Sequence, residues 1–406
     1  MNKGLFKLIF NRRTGMLTPT WEGAPARGKV SATARACVLT LTLLFFAHPV
    51  LANPSGATVI NGNVSFASNG NTLSITNSPN SIINWQSFSI NKDEITRFIQ
   101  QNGASAVLNR ITGQDPSKIL GTLQSNGRVF IINPNGIVFG KGATIDVAGL
   151  VASTLKMTDA DFLSGKYKFG DGSTAGAIKN EGTINTASGG QVYLIAPDIE
   201  NNGIITSPKG EIVLAAGHSV SLVDPKNPEI VVSLTAPATQ AVNVGQLVAQ
   251  GGSIGIYAGL VQQAGVANAN SASIDESGRI FLKASQSTTL GANSVTSASN
   301  SVGKGGEVIA TAPETKVEAN AVVDASGQTG GGAVLIGGDV QGKNPDIENA
   351  KNTSIAAGAK LRADALVSGD GGKVVVWSDR VTRFAGDISA RGGAQGGNGG
   401  FVEVSG

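Results

Sequence analysis

GGKVVVW, Gly371 to Trp377, is one of eight short runs in which one or two glycines open a strand-forming segment. The others are GGQVYL (189–194), GEIVL (210–214), GGSIGIY (251–257), GRIFL (278–282), GGEVIA (305–310), GGAVLI (331–336) and GGFVEV (399–404). Their first aliphatic residues, Val192, Ile212, Ile254, Ile280, Val308, Val334, Val374 and Val402, are spaced 20, 42, 26, 28, 26, 40 and 28 apart. Aliphatic and β-branched runs bounded by Gly, Asn, Asp and Ser are the grammar of strands and turns, and no segment after residue 52 sustains a 3.6-residue periodicity. A period in the twenties marks a solenoid, in which each turn buries its apolar face only against its neighbours. The consensus of leucine-rich repeats is absent, and helical repeats need Gly-poor windows. The pattern therefore predicts an all-β chain wound as a parallel β-helix, with Val and Ile inside the coil and Gly and Asn at positive-φ corners. Each long gap holds two rungs, or one rung and an insertion. At roughly 25 residues per coil and about 4.8 Å per stacked strand, at most about 14 coils would form a rod of about 65 Å.

A parallel coil ends in open strand edges, which invite aggregation unless covered. The less repetitive region from Ala57 to about Met157 is the expected N-terminal β cap. The chain stops inside a repeat, Gly399 to Gly406, so residues 291–406 read as the start of a longer rod, with a complete small rod as the alternative.

Composition separates this body from its leader. The 406 residues carry 31 basic and 28 acidic side chains, but residues 1–52 hold seven bases (Lys3, Lys7, Arg12, Arg13, Arg27, Lys29, Arg35) against Glu22 alone, leaving 24 against 27 in the body. The body holds 51 of the 55 glycines, about twice the usual share of roughly 7%. The single cysteine, Cys37, is in the leader, which excludes disulfides, cysteine-based metal sites and a cysteine nucleophile from the body.

The apolar stretch Cys37 to Ala47, followed by Pro49-Val50-Leu51-Ala52, reads as a secretory signal cleaved between Ala52 and Asn53. Its 11 residues fall short of the roughly 20 that span a bilayer as a helix, so the mature protein is expected to carry no membrane anchor. The opening Met1-Asn2-Lys3 and Leu8-Ile9-Phe10-Asn11-Arg12 resemble the extended signal peptides of large Gram-negative exoproteins, with a departure at LTPTWE (17–22).

From Ser81 the chain reads SIINWQSFSINKDEITRFIQ, and from Ser105 to Thr154 SAVLNRITGQDPSKILGTLQSNGRVFIINPNGIVFGKGATIDVAGLVAST. Here it resembles the two-partner secretion (haemagglutination activity) domain of filamentous-haemagglutinin-like exoproteins, most strongly over 57–160, within a domain expected to span 53–290. The resemblance implies a right-handed β-helix and a dedicated outer-membrane partner, an Omp85-like transporter with periplasmic POTRA domains that bind the unfolded or nascent chain. Carried over by motif, the recognition candidates are Asn133, Pro134, Asn135, Gly136 and Ile137, with Asn84, Trp85, Asn109 and Arg110 as weaker ones. Physically, Pro134 fixes φ and Asn135-Gly136 favours left-handed turn geometry, which makes a tight corner between two buried strands. The Asn-Pro-Asn-Leu motif of the haemagglutinin subgroup is absent, and the order is more like that of haem-haemopexin-binding exoproteins and high-molecular-weight adhesins.

The resemblance implies a secreted, cell-surface, non-enzymatic monomeric rod that binds a host-cell receptor, a glycan or a haem carrier; a haemolysin or contact-dependent toxin would carry its activity farther downstream. A β-helix polysaccharide hydrolase or lyase is the rival class, resting on the carboxylate pairs Asp159/Asp161 and Asp275/Glu276, which read as solvated turn acids. His218 has no second His or Cys in the body with which to build a metal or catalytic site. No cofactor is implied, since GGNGGF (396–401) lacks the Asp of calcium-binding turns. Arg391-Gly392-Gly393, a single copy in an acidic body, does not imply nucleic acid. The sequons at Asn63 and Asn352 are of a number that chance supplies. The mature chain is expected to begin at Asn53; N-terminal sequencing of the exported form checks this, and a retained Met1 contradicts it.

Overall fold

The computed structural model describes residues 6–11, 16–21, 53–170, 174–222 and 239–406, in two compact units, Met1–Val50 and Leu51–Gly406. In the first, Phe6–Asn11 pairs antiparallel with Met16–Trp21. The apolar stretch of the leader and Ala52 lie outside the described residues.

The second unit is a parallel β-helix with three faces. Gln191–Ala196 lies on the first face, Asp198–Asn201 on the second and Ile204–Thr206 on the third, and the chain regains the first face at Glu211–Ala216, one coil on. The eight aliphatic positions read from the sequence stack in one unbroken column, Val192–Ile212–Ile254–Ile280–Val308–Val334–Val374–Val402. The column continues backwards through Leu150, Val129 and Val107 to Ser81. Apart from Val402 and Ser81, its members are fully buried aliphatics, each contributing about 1.5–3 kcal/mol on burial. The interior is filled at the N-terminal end by Trp85, Phe88, Phe98 and Phe139, its bulkiest side chains, and farther on by small ones such as Ala249, Ala267, Ala298, Ala325 and Ala363.

Ile212 stacks directly on Ile254, and Val334 on Val374, so each long gap is one rung plus an insertion. The insertions leave the coil between the first and second faces, after Ala216 and after Ile336; a third leaves after Ser153, before the second-face strand Ile178–Asn180.

The repeat glycines serve a different purpose from the one read in the sequence. Gly210, Gly252, Gly306, Gly332, Gly372 and Gly400 do not have positive φ; a Cβ on any of them would lie 2.0–2.1 Å from the carbonyl oxygen of the corresponding glycine one coil below. The backbones approach so closely at this corner that no side chain fits. A left-handed backbone is found at the glycine just before, at Gly189 and Gly251 (φ 79° and 68°).

The cap is smaller than expected. Thr58–Asn61 pairs antiparallel with Ser81–Trp85, and Val64–Asn69 with Thr72–Asn77; from Thr72 onward the chain is already coiled, with Thr72–Asn77 stacking in parallel on Ile95–Ile99. The region to Met157 looked irregular because its rungs at Val107, Val129 and Leu150 do not open on the paired glycines that mark most of the later ones.

The first face is buried on its outer side as well. The first insertion folds over it with a short helix, Asp159–Leu163, and a strand, Tyr167–Phe169, which pairs antiparallel with Val220–Leu222. Phe162 meets the Phe130 ring edge-on at 5.2 Å, and Tyr167 stacks on it at 5.7 Å. The last insertion covers Ile309, Leu335 and Val375 with Val340 and Ile347. It is pinned by Asp339, which accepts hydrogen bonds from Lys373 Nζ (2.7 Å), Asn344 Nδ2 (2.9 Å) and the Val340 N–H (2.7 Å). Burial opposes ionisation of this carboxyl, but these bonds outweigh it and hold its pKa below the ordinary value.

Gly332→Ala places a methyl group 2.0 Å from Gly306 O and is expected to lower stability by about 1–3 kcal/mol. Gly399→Ala, at a site with nothing within 4 Å, should change it little. Urea midpoints of the two variants decide the matter.

Candidate functional site

The strand Thr122–Ile132 ends on the first face and Ile137–Phe139 begins on the second, so Asn133 to Gly136 is the corner where the insertions of other coils depart. Asn133 is fully buried. Its Nδ2 donates to Asp115 O and Ser117 Oγ, both at 3.0 Å, while its Oδ1 accepts from the Asn135 N–H at 3.0 Å and Asn135 Nδ2 at 3.1 Å. All four hydrogen-bonding valences of the amide are thus used. Asn135 Nδ2 also donates to Gly113 O (2.9 Å), and the Gly176 N–H donates to Pro134 O (2.7 Å). The corner therefore locks together the coils below and above it. Of the pair expected to turn left-handed, only Gly136 does so (φ 116°).

The nine candidates fall into two sets. Trp85, Asn109, Asn133, Gly136 and Ile137 are interior: Trp85 Nε1 donates to Asn109 Oδ1 at 2.9 Å, and Asn109 Nδ2 to Phe130 O at 3.1 Å. Asn84, Arg110, Pro134 and Asn135 reach the surface at one edge, where Asn84, Arg110 and Ile132 stack on successive coils. Arg110 Nη2 donates to Met157 O (2.9 Å) and Asp159 Oδ1 (2.6 Å). Asp159 thus lies in the first turn of a helix, ion-paired, and Asp161 caps that turn with Thr158, whose Oγ1 accepts from the Asp161 N–H at 3.0 Å. Glu276 is paired with Lys209, and His218 is half-buried just after the strand Glu211–Ala216.

Two features escaped sequence reasoning. One is a buried amide ladder on the second face: Asn180 Nδ2 donates to Asn201 Oδ1 and Asn201 Nδ2 to Asn243 Oδ1, both at 2.7 Å, and Asn243 Nδ2 to Gln263 Oε1 at 2.6 Å. Its signal was present, since Gly182, Gly203, Gly245 and Gly265 each follow a rung by two residues. The other is a cleft of 790 Å³ between the corner and the first insertion, lined by Arg110, Ile111, Ile132, Pro134, Met157, Lys168, Phe169 and Ser219 among others. Deeper under the same cover, Tyr193 donates its hydroxyl hydrogen bond to Glu211. Burial raises both pKa values; the Glu211 charge adds to the rise at Tyr193, and the Tyr193 hydrogen bond partly offsets the rise at Glu211.

Comparison with known proteins adds family relationships. The TPS secretion domain model matches residues 51–292, and the model of the extended signal peptide of the type V secretion system matches residues 1–49. The crystal structure of the HMW1 secretion domain from Haemophilus influenzae superposes with a TM-score of 0.80 at 35% identity, covering 87% of this chain and 95% of that one. Two heme/hemopexin-binding proteins of Haemophilus influenzae are 30% and 39% identical over 40% and 21% of this chain. The matched segments make up only 23% and 9% of those relatives' own lengths.

Asn133→Ala should cost about 1–3 kcal/mol, because it leaves buried partners unpaired. Asn84→Ala, at the half-exposed edge, should cost well under 1 kcal/mol, as surface changes usually do. Equilibrium unfolding of both variants separates a structural Asn133 from a purely recognitional one.

Proposed function

The chain belongs to the TPS secretion domain family, with an extended signal peptide before that domain, and on that basis we propose that residues 133–137 act twice, first as recognition signal and then as folding corner. Membership makes the protein a secreted or surface exoprotein exported by its partner transporter. The finer reading is that Omp85-like POTRA domains bind the chain before it folds. The observation that carries it is the burial of Asn133, with every polar atom of its amide engaged inside the coil. A side chain so enclosed is available to a partner only while the chain is unfolded. Winding into coils outside the membrane then withdraws the signal and makes export directional.

The exported coil is a non-enzymatic binding rod, an adhesin-like surface presented on a rigid scaffold. A haem- or haemopexin-binding role is the second reading, favoured by the two relatives of that name. Replacing Asn135 and Gly136 together with valine should abolish appearance in the medium of cells carrying the transporter while synthesis continues. Immunoblots of medium and cell fractions read this out, and wild-type levels in the medium would contradict the recognition role. Binding of the exported chain to host cells and to immobilised haemopexin separates the two cargo readings.

A further inference from the structure

The cleft beside the corner exists only in the folded chain, since it brings Arg110, Met157, Lys168 and Ser219 together. It therefore belongs to the exported protein and not to the step in which the transporter reads an unfolded one. Its 790 Å³ lies within the range of about 300–1,000 Å³ typical of small-ligand sites. The floor is apolar, formed by Ile111, Ile132, Pro134, Met157 and Phe169.

Charge at the rim is unbalanced. Among the described residues, Arg110, Lys156 and Lys168 line the cleft against Asp159 and Asp161, an excess of one positive charge, and Asp159 is ion-paired with Arg110 at 2.6 Å. Lys168 is exposed and, among the described residues, forms no ion pair. We propose that this cleft binds a small amphipathic monocarboxylate, its apolar body on that floor and its carboxylate at Lys168. A neutral ligand would leave the Lys168 charge unmatched. A dicarboxylate would force a second negative charge toward Asp159 and Asp161.

The test uses residues 53–406, which form a compact unit separate from the leader. Oleate is titrated calorimetrically, with oleyl alcohol as the probe lacking the carboxylate and phosphatidylethanolamine/phosphatidylglycerol vesicles as the membrane control. Oleate should bind the unaltered chain. Lys168→Glu reverses the rim charge at an exposed position, and Ser219→Trp fills the cleft from its half-exposed wall. Each should weaken oleate at least about tenfold, and oleyl alcohol should bind weaker than oleate by a similar factor. Unfolding curves that match the unaltered chain certify each variant, and one folded variant is enough for the comparison. No oleate binding, equal affinity for the alcohol, binding confined to vesicles, or unchanged affinity in the folded variants would each overturn the proposal. Export is untouched by any of these outcomes, so the recognition reading stands or falls separately.

Discussion

The structure depends on how closely one coil can lie on the next. Parallel strands stack at about 4.8 Å, and at the corner where the third face returns to the first that spacing leaves no room for a Cβ. The column through Gly210, Gly252, Gly306, Gly332, Gly372 and Gly400 satisfies this steric demand, since a methyl group at any of them would collide with a carbonyl oxygen at 2.0–2.1 Å. Register follows from the same column. With the corner fixed, Val192 falls on Ile212, and each later aliphatic residue falls on its predecessor. The amide ladder from Asn180 to Gln263 repeats the logic inside the coil, because a slip of one residue would break every side-chain amide bond and leave buried polar groups unpaired.

The second corner, between the first and second faces, is where the fold admits variation. Insertions leave the coil there and return to cover the outer side of the first face, producing a second apolar layer around Phe130, Tyr193 and Val213. The Asn133–Gly136 turn occupies the same corner in a coil with no insertion. The residues that the resemblance marks for recognition are thus ones whose folding closes the coil. The cleft between this turn and the first insertion arises from the same geometry.

Much of this was legible in the sequence, and the exceptions have physical causes. Glycine-led runs revealed the first-face column because the coils from Gly210 onward meet the same steric demand, so the signal repeats. Their role was misread, because sequence cannot separate a glycine needed for positive φ from one needed for lack of a Cβ; Gly189 and Gly190 sit side by side and illustrate both. The cap was overestimated because the rungs at Val107, Val129 and Leu150, though stacked like the others, do not open on paired glycines and so give no repeated signal. Nothing in the sequence around Asn133 or Arg110 announces that Asn133 makes four hydrogen bonds inside the coil while Arg110 reaches the surface.

By itself the sequence determined the parallel coil, its rung positions, the leader and the place of the Asn133–Ile137 turn, because each rests on local chemistry repeated or clustered along the chain. Only the tertiary structure decided that the long gaps are insertions, that the outer side of the first face is buried, and which candidates are enclosed. These features come from segments far apart in the chain, such as Phe130 with Tyr167 or Arg110 with Asp159. Their pairing depends on the path of the backbone in space, and local sequence carries no record of that path.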